Sequence, residues 1–153
     1  MTLNLLLAFP VPLTLADCRK AMGIGPTLAA KCLGLQYPPY FKKETGVVGV
    51  SVGEINLFMI LAHLHPHWRL TTPYDPVLLP DLLTHTQPTG DEIKALRIKL
   101  AQTQAAMAEQ LGYKVSSWKM KENLLKPASL KTAEYNLLLM LCNEHPSLGI
   151  TAA

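Results

Sequence analysis

His63, His65 and His67 alternate around Pro66, the place where ligand-type side chains crowd most closely in this chain. Imidazole nitrogens bind zinc, but a zinc site gathers three or four ligands from His, Cys or carboxylate at matched spacing. These three straddle a helix end and a proline-rich stretch, with no cysteine or carboxylate cluster beside them. A helix-ending role fits them better than metal. Cys18, Cys32 and Cys142 stand at no metal-like spacing, and each falls within a predicted helix. They read as small apolar core residues, and an odd, sparse count suits a reducing cytoplasm. No Gly-rich phosphate loop, no HExxH, no GxSxG and no Cys–His pair with supporting context is expected. The expectation is a protein without enzymatic activity, metal or cofactor.

The frame that positions these groups is duplicated. Glu54, Asn56, Leu57, Leu61, His65 and Pro66 recur eighty residues later as Glu134, Asn136, Leu137, Leu141, His145 and Pro146. Upstream, at an offset of seventy-eight, Arg19, Ala30, Leu33, Gly34, Lys43 and Glu44 recur as Arg97, Ala108, Leu111, Gly112, Lys121 and Glu122. A two-residue insertion in a loop reconciles the offsets. Two copies are too few for a solenoid, so the chain reads as a tandem pair of small units. Units this small are marginal alone and are expected to pack on each other.

Composition agrees. Of 153 residues 49% are hydrophobic and only 16% charged, which excludes disorder and suggests extensive burial, with room for a partner interface. The net charge of +3 permits a nucleic-acid partner without requiring one, because a basic face matters more than a total. The first fifteen residues are apolar, yet they lack a basic start and a cleavage site, contain two prolines and are too short to span a bilayer. They read as an apolar arm at 1–12, packed on the body or on a partner subunit, and no membrane is expected.

Along the chain, the first unit covers 13–67. Thr14 opens a helix that stops at Gly23 and Gly25, a second runs from about Pro26 to Leu33, and QYPPYFKKETG supplies a third. Ser51-x-x-Glu54 is a capping-box pattern before a strongly apolar fourth helix. A Pro-rich linker at 68–88 follows, with one helical turn expected in VLLPDLL. The second unit, 89–148, repeats the order: a helix capped by Thr89-x-x-Glu92, a short helix capped by Thr103, a third in KVSSWKMKEN, and a fourth ending before Pro146. Apart from GVVGV no stretch has strand character, and the class is all-α.

Glu92 to Pro146 resembles the Cro/phage-repressor (XRE-like) helix-turn-helix family. The resemblance rests on Ile93-x-x-Leu96-Arg97, on Thr103-Gln104-x-x-Met107-Ala108-x-x-Leu111-Gly112, on Glu122, on Pro127 and on the apolar helix running to His145-Pro146. Ala108 is small where two helices cross closely, and Gly112 supplies the positive φ of the turn. The first unit resembles the family more faintly, through Ala30, Leu33-Gly34 and Glu44-x-Gly46, with Pro26 replacing the glutamine. The implied fold is two tandem four-to-five-helix, lambda-repressor-like domains.

The resemblance also implies roles. Gln104 matches a glutamine that contacts the DNA backbone, at a helix N-terminus where free amides favour phosphate. The third helix enters the major groove, which nominates Lys114, Val115, Ser116 and Ser117, with Lys119 and Lys126 near the backbone. In the first unit the matching positions are Gln36, Tyr37 and Pro38, with Lys42 further along. Gln pairs with adenine and Lys reaches guanine, so specificity is chemically available. Two features depart from the family: Lys43 and Lys121 stand where an apolar residue is usual, and Pro38 and Pro39 open the first unit's third helix. Tyr40 and Trp118, at equivalent positions, read as core aromatics.

The leading expectation is therefore a transcriptional regulator, a repressor of phage, plasmid or mobile-element type, cytoplasmic and bacterial or phage-encoded. Its two units would form a built-in dimer on double-stranded operator DNA, reading half-sites about 34 Å apart. Because Gln36-Tyr37 differs from Lys114-Val115, the half-sites should be unequal. The alternative is an adaptor, antiactivator or antitoxin-like module that keeps the scaffold and binds a protein. Homodimerisation through the apolar arm fits either.

Overall fold

The computed structural model describes residues 5–9, 11–126 and 128–153. The expected arm is thus seen from Leu5 onward without Pro10, and the loop-closing Pro127 lies outside the described residues. Helices dominate: α1 (Leu15–Met22), α2 (Pro26–Cys32), α3 (Tyr37–Glu44), α4 (Val52–Leu61), α5 (Leu79–Leu82), α6 (Gly90–Lys99), α7 (Gln104–Leu111), α8 (Val115–Lys121) and α9 (Thr132–Leu141). Two short strands, β1 (Trp68–Leu70) and β2 (Ile150–Ala152), complete the order.

Local chemistry sets the helix ends. The Ser51–Glu54 and Thr89–Glu92 capping boxes form, and Thr14 makes a third with Asp17. Each satisfies amides that have no partner inside their own helix. Gly34 and Gly112 turn the chain at φ of 67° and 77°, out of α2 and α7 respectively. Pro38 and Pro39 fall in the first turn of α3, where a missing N–H leaves no bond unmade, and α3 runs its full eight residues.

Packing joins the two copies. Every residue of α4 is buried, and α9 lies along it. A helix apolar on all sides is a core helix, and each fully buried Leu or Ile in it contributes about 1.5–3 kcal/mol. Tyr40 and Trp118 are fully buried, and one apolar cluster runs through both copies. The contacts between copies are reciprocal. A Cβ on Gly34 would meet Thr132 Oγ1 at 2.6 Å, and one on Gly112 would meet Val52 Cγ2 at 3.3 Å; Thr132 and Val52 each open the fourth helix of the other copy. Residue i of one copy thus touches j of the other and the reverse, as in a two-fold dimer.

The connecting segments follow the same rule. Asn56 receives the Leu7 N–H (2.9 Å) and donates to the Leu7 carbonyl (3.0 Å). Asn136 does this with Thr84, at 2.8 Å both ways. The arm then reaches the other copy, where the Leu5 and Leu6 amides donate to Gln110 of α7. Residues of α5, beyond the equivalent point of the linker, pack on α2. Of the two placements expected for the arm, packing on the body is the one seen from Leu5 to Leu7.

The expectation that no stretch outside GVVGV forms strand needs correction. Residues 46–50 form a loop, and the strands arise at 68–70 and 150–152. They pair antiparallel, with Trp68 opposite Ala152, Arg69 opposite Thr151 and Leu70 opposite Ile150. Two three-residue strands so far apart in sequence carry no local periodicity, and only the joined copies bring them together. The helical turn expected in VLLPDLL is α5, preceded by a 3₁₀ turn at Pro76–Leu78.

Candidate nucleic-acid interface

A short helix must be held from behind before its outer face can act. In the second copy Arg97 of α6 makes a fork on Glu122, which caps α8, with Nε–Oε2 at 2.7 Å and Nη2–Oε1 at 3.0 Å. Its remaining nitrogen donates to the Gln102 carbonyl in the α6–α7 turn at 2.9 Å. Trp118 donates its indole N–H to the same carboxylate. Arg19 and Glu44 repeat the fork in the first copy, with Nη2–Oε1 at 2.6 Å, and Arg19 donates to the Ile24 carbonyl at 3.3 Å. Burial opposes ionisation of Glu44, yet the Arg19 hydrogen bonds hold its carboxyl below the usual range. A planar fork fixes direction as well as distance, so each clamp sets the angle of its third helix.

Lys43 and Lys121 now have a physical account. Both point inward: Lys43 donates to the Gly49 carbonyl (3.2 Å) and Glu54 (3.1 Å), and Lys121 to the Ser129 carbonyl at 2.7 Å. Lys121 also lies 4.5 Å from the centre of the Tyr113 ring. Its stem fills the apolar place while its ammonium satisfies the loop before the fourth helix. Burial lowers the affinity of Lys121 for its proton and raises that of Glu134, which accepts from the Tyr113 hydroxyl at 2.6 Å.

With Trp118, Lys121 and Glu122 turned inward, the opposite face of α8 is open. Lys114, Ser116, Ser117 and Lys119 are all exposed, as are Val115 and Met120. Lys114 is the N-cap of α8, and Lys126 stands exposed in the loop beyond it. Gln104 opens α7 but is partly buried, its side-chain amide donating to Glu122 Oε1 at 3.3 Å. The expected backbone-contacting glutamine thus also braces the arginine clamp. In the first copy Gln36 is the N-cap of α3 without a side-chain cap bond, and Gln36, Tyr37, Pro38 and Lys42 are all exposed.

No protein-family model, curated protein or solved structure matches the chain.

Sequence reasoning missed Phe41, which stands one turn after Tyr37 and stacks on it with ring centres 5.7 Å apart. The Tyr-x-x-x-Phe spacing was the available signal, since i and i+4 share a helix face. It also missed the exposed Leu124 and Leu125 beside Lys126. A third omission corrects the expectation that the chain carries no catalytic motif. Gly49-Val50-Ser51-Val52-Gly53 is a GxSxG string, the pattern of a nucleophile elbow. Here a loop rather than a strand leads into it, and the Ser51 hydroxyl accepts the Glu54 N–H at 3.2 Å as the cap of α4. That context is a capping box.

The histidines end helices as expected. His65 Nε2 and His145 Nε2 bond Asn56 and Asn136 Oδ1 at 2.7 and 2.8 Å, while each Nδ1 accepts backbone N–H groups after the helix. Both rings are thereby held neutral, with burial lowering each pKa to about 4. Among the described residues no group of three His, Cys, Asp or Glu side chains could hold a metal ion, and no helix is long and apolar enough to cross a membrane. A cleft of about 430 Å³ lies between the arm and the α3–α4 loop; its charged groups, Lys43 and Glu44, are already engaged.

Proposed function

We propose that this protein is a sequence-specific, DNA-binding transcriptional regulator, a repressor of phage, plasmid or mobile-element type. Two helix-turn-helix units in one chain, α2–α3 and α7–α8, take the place of two subunits. The observation that carries this reading is the division of α8 into two faces. Its inner face is locked by Trp118, Lys121 and Glu122. Its outer face offers Lys114, Ser116, Ser117 and Lys119 to solvent, and the helix has no acidic residue between Val115 and Lys121. Ammonium and hydroxyl groups on a rigid helix suit phosphate oxygens and base edges.

The reciprocal packing of the copies adds support. Recognition helices held in one rigid body require no dimerisation before binding, so the cost of assembling two subunits is already met within the chain. Operator half-sites would be imperfectly related, because the two outer faces differ.

An adaptor function is the second reading. Tyr37, Phe41, Val47 and Leu125 are all more than 40% exposed, which is more apolar surface than phosphate contact needs.

Fluorescence anisotropy on duplexes from the gene's own upstream region decides between them. The regulator gives binding that weakens steeply with salt, and Lys114→Ala lowers the log–log salt slope by about one. Absence of binding to any duplex at low salt, with a stable protein complex instead, overturns the proposal.

A further inference from the structure

The outer faces of α3 and α8 differ most where Phe41 answers to Lys119 and the prolines of α3 answer to serines. At the shared offset of seventy-eight, Tyr37 matches Val115, Pro38 and Pro39 match Ser116 and Ser117, and Phe41 matches Lys119. Tyr37 and Phe41 are 42% and 48% exposed and stack on each other with ring planes 21° apart. That stack presents one continuous apolar surface across the first two turns of α3, with Gln36 at its N-terminal end. The charged groups exposed on these two helices are basic. Lys31 of α2 and Lys42 of α3 are exposed, and Glu44, the sole carboxylate of these two helices, is held by Arg19.

An apolar ridge with exposed lysines on the same pair of helices narrows the partner. Phosphates satisfy the lysines, and a duplex edge offers an apolar ridge only one apolar group, the C5-methyl of thymine in the major groove. Gln36, beside the ridge, has the donor and acceptor pair that matches adenine. We infer, resting on the DNA-binding reading above, that the α3 half-site is A·T-rich and is read by thymine methyl contact with Tyr37 and Phe41. The α8 half-site is read by hydrogen bonds from Lys114 and the serine hydroxyls and contains guanine. The two halves of the operator therefore differ in kind, not merely in detail.

Deoxyuridine tests this, because it keeps every hydrogen-bonding group of thymine and lacks only the methyl. Bound duplexes are first selected from a randomised pool with the full chain. Thymines are then replaced by deoxyuridine in one half at a time. Removing one contacted methyl weakens binding about fourfold, by analogy with one buried methylene. The effect appears in the α3 half alone and disappears in the Phe41→Ala variant, whose fold is checked by its thermal transition. Lys114→Ala relaxes guanine preference in the other half and leaves the uracil effect intact. Uracil replacement without effect in either half overturns this inference and leaves the DNA-binding reading standing. So does a Phe41→Ala variant that keeps the full uracil effect, as expected if the ridge docks a protein. A pool that yields no bound duplex overturns both.

Discussion

Gly53 of α4 lies against Glu134 of α9, so closely that a Cβ on Gly53 would sit 2.6 Å from the Glu134 Cγ. Glu134 cannot step aside: it is fully buried and accepts from the Tyr113 hydroxyl and the Lys131 amide. The contact joins the two copies at the point where their fourth helices run together.

Gly53→Ala is therefore expected to destabilise. Within an exposed helix, glycine to alanine stabilises by roughly 0.5–1 kcal/mol. Here overpacking reverses the sign, and a loss of about 1–3 kcal/mol is expected. Denaturant unfolding measures it; a rise in stability would show that α4 and α9 do not meet this closely in solution.

Arg97 and Arg19 should not be equally important. The Glu122 side chain is 3% exposed and that of Glu44 13%, so removing Arg97 leaves the more deeply buried carboxylate without its cation. Loss of one partner from a buried pair costs about 3–5 kcal/mol. Arg97→Ala is expected in that range and Arg19→Ala below it, by the same unfolding measurement. Equal losses would contradict the argument from burial.

Ala101 adopts φ of 57° at the position where the first copy has Gly23, at φ of 73°. An L side chain in that region costs about 1–2 kcal/mol. Ala101→Gly should consequently raise stability by about 1 kcal/mol, and Gly23→Ala should lower it by a similar amount. A thermal melt of the pair suffices, since opposite shifts are required.

Stability should fall in mild acid. Unfolded histidine takes up a proton near pH 6.5, whereas burial holds His65 and His145 neutral until about pH 4. Below 6.5 the unfolded chain thus binds more protons, and folding weakens as pH drops towards 4. The steepest slope is about 1.4 kcal/mol per pH unit for each histidine. Unfolding midpoints at pH 7, 5.5 and 4.5 check this, and His145→Gln should remove about half of the dependence. A midpoint that stays constant from pH 7 to 4.5 would refute it.

Much of the scaffold was legible because it is local. Ser51 with Glu54, Thr89 with Glu92, and the glycines at 34 and 112 announce helix ends within four residues of themselves. The offsets of seventy-eight and eighty aligned the copies, and with them Tyr40 and Trp118, Arg19 and Arg97, His65 and His145. The roles of Asn56 and Asn136 were not legible, although an Asn recurring nine residues before a His was a signal. Each asparagine binds a chain segment about fifty residues away, and no periodicity encodes such a partner.

The sequence by itself determined the helices, their caps and the duplication, since each follows from residues within a turn or from direct comparison of the copies. Tertiary structure alone decided which lysines face in and which face out. Lys121 and Lys119 lie two residues apart in one helix, yet one is buried against the Ser129 carbonyl and the other is exposed. It likewise decided that the arm crosses to Gln110, that β1 finds β2, and that Tyr37 and Phe41 form an outward ridge. These depend on how two copies close on each other, which is fixed by hydrophobic burial between residues far apart in sequence.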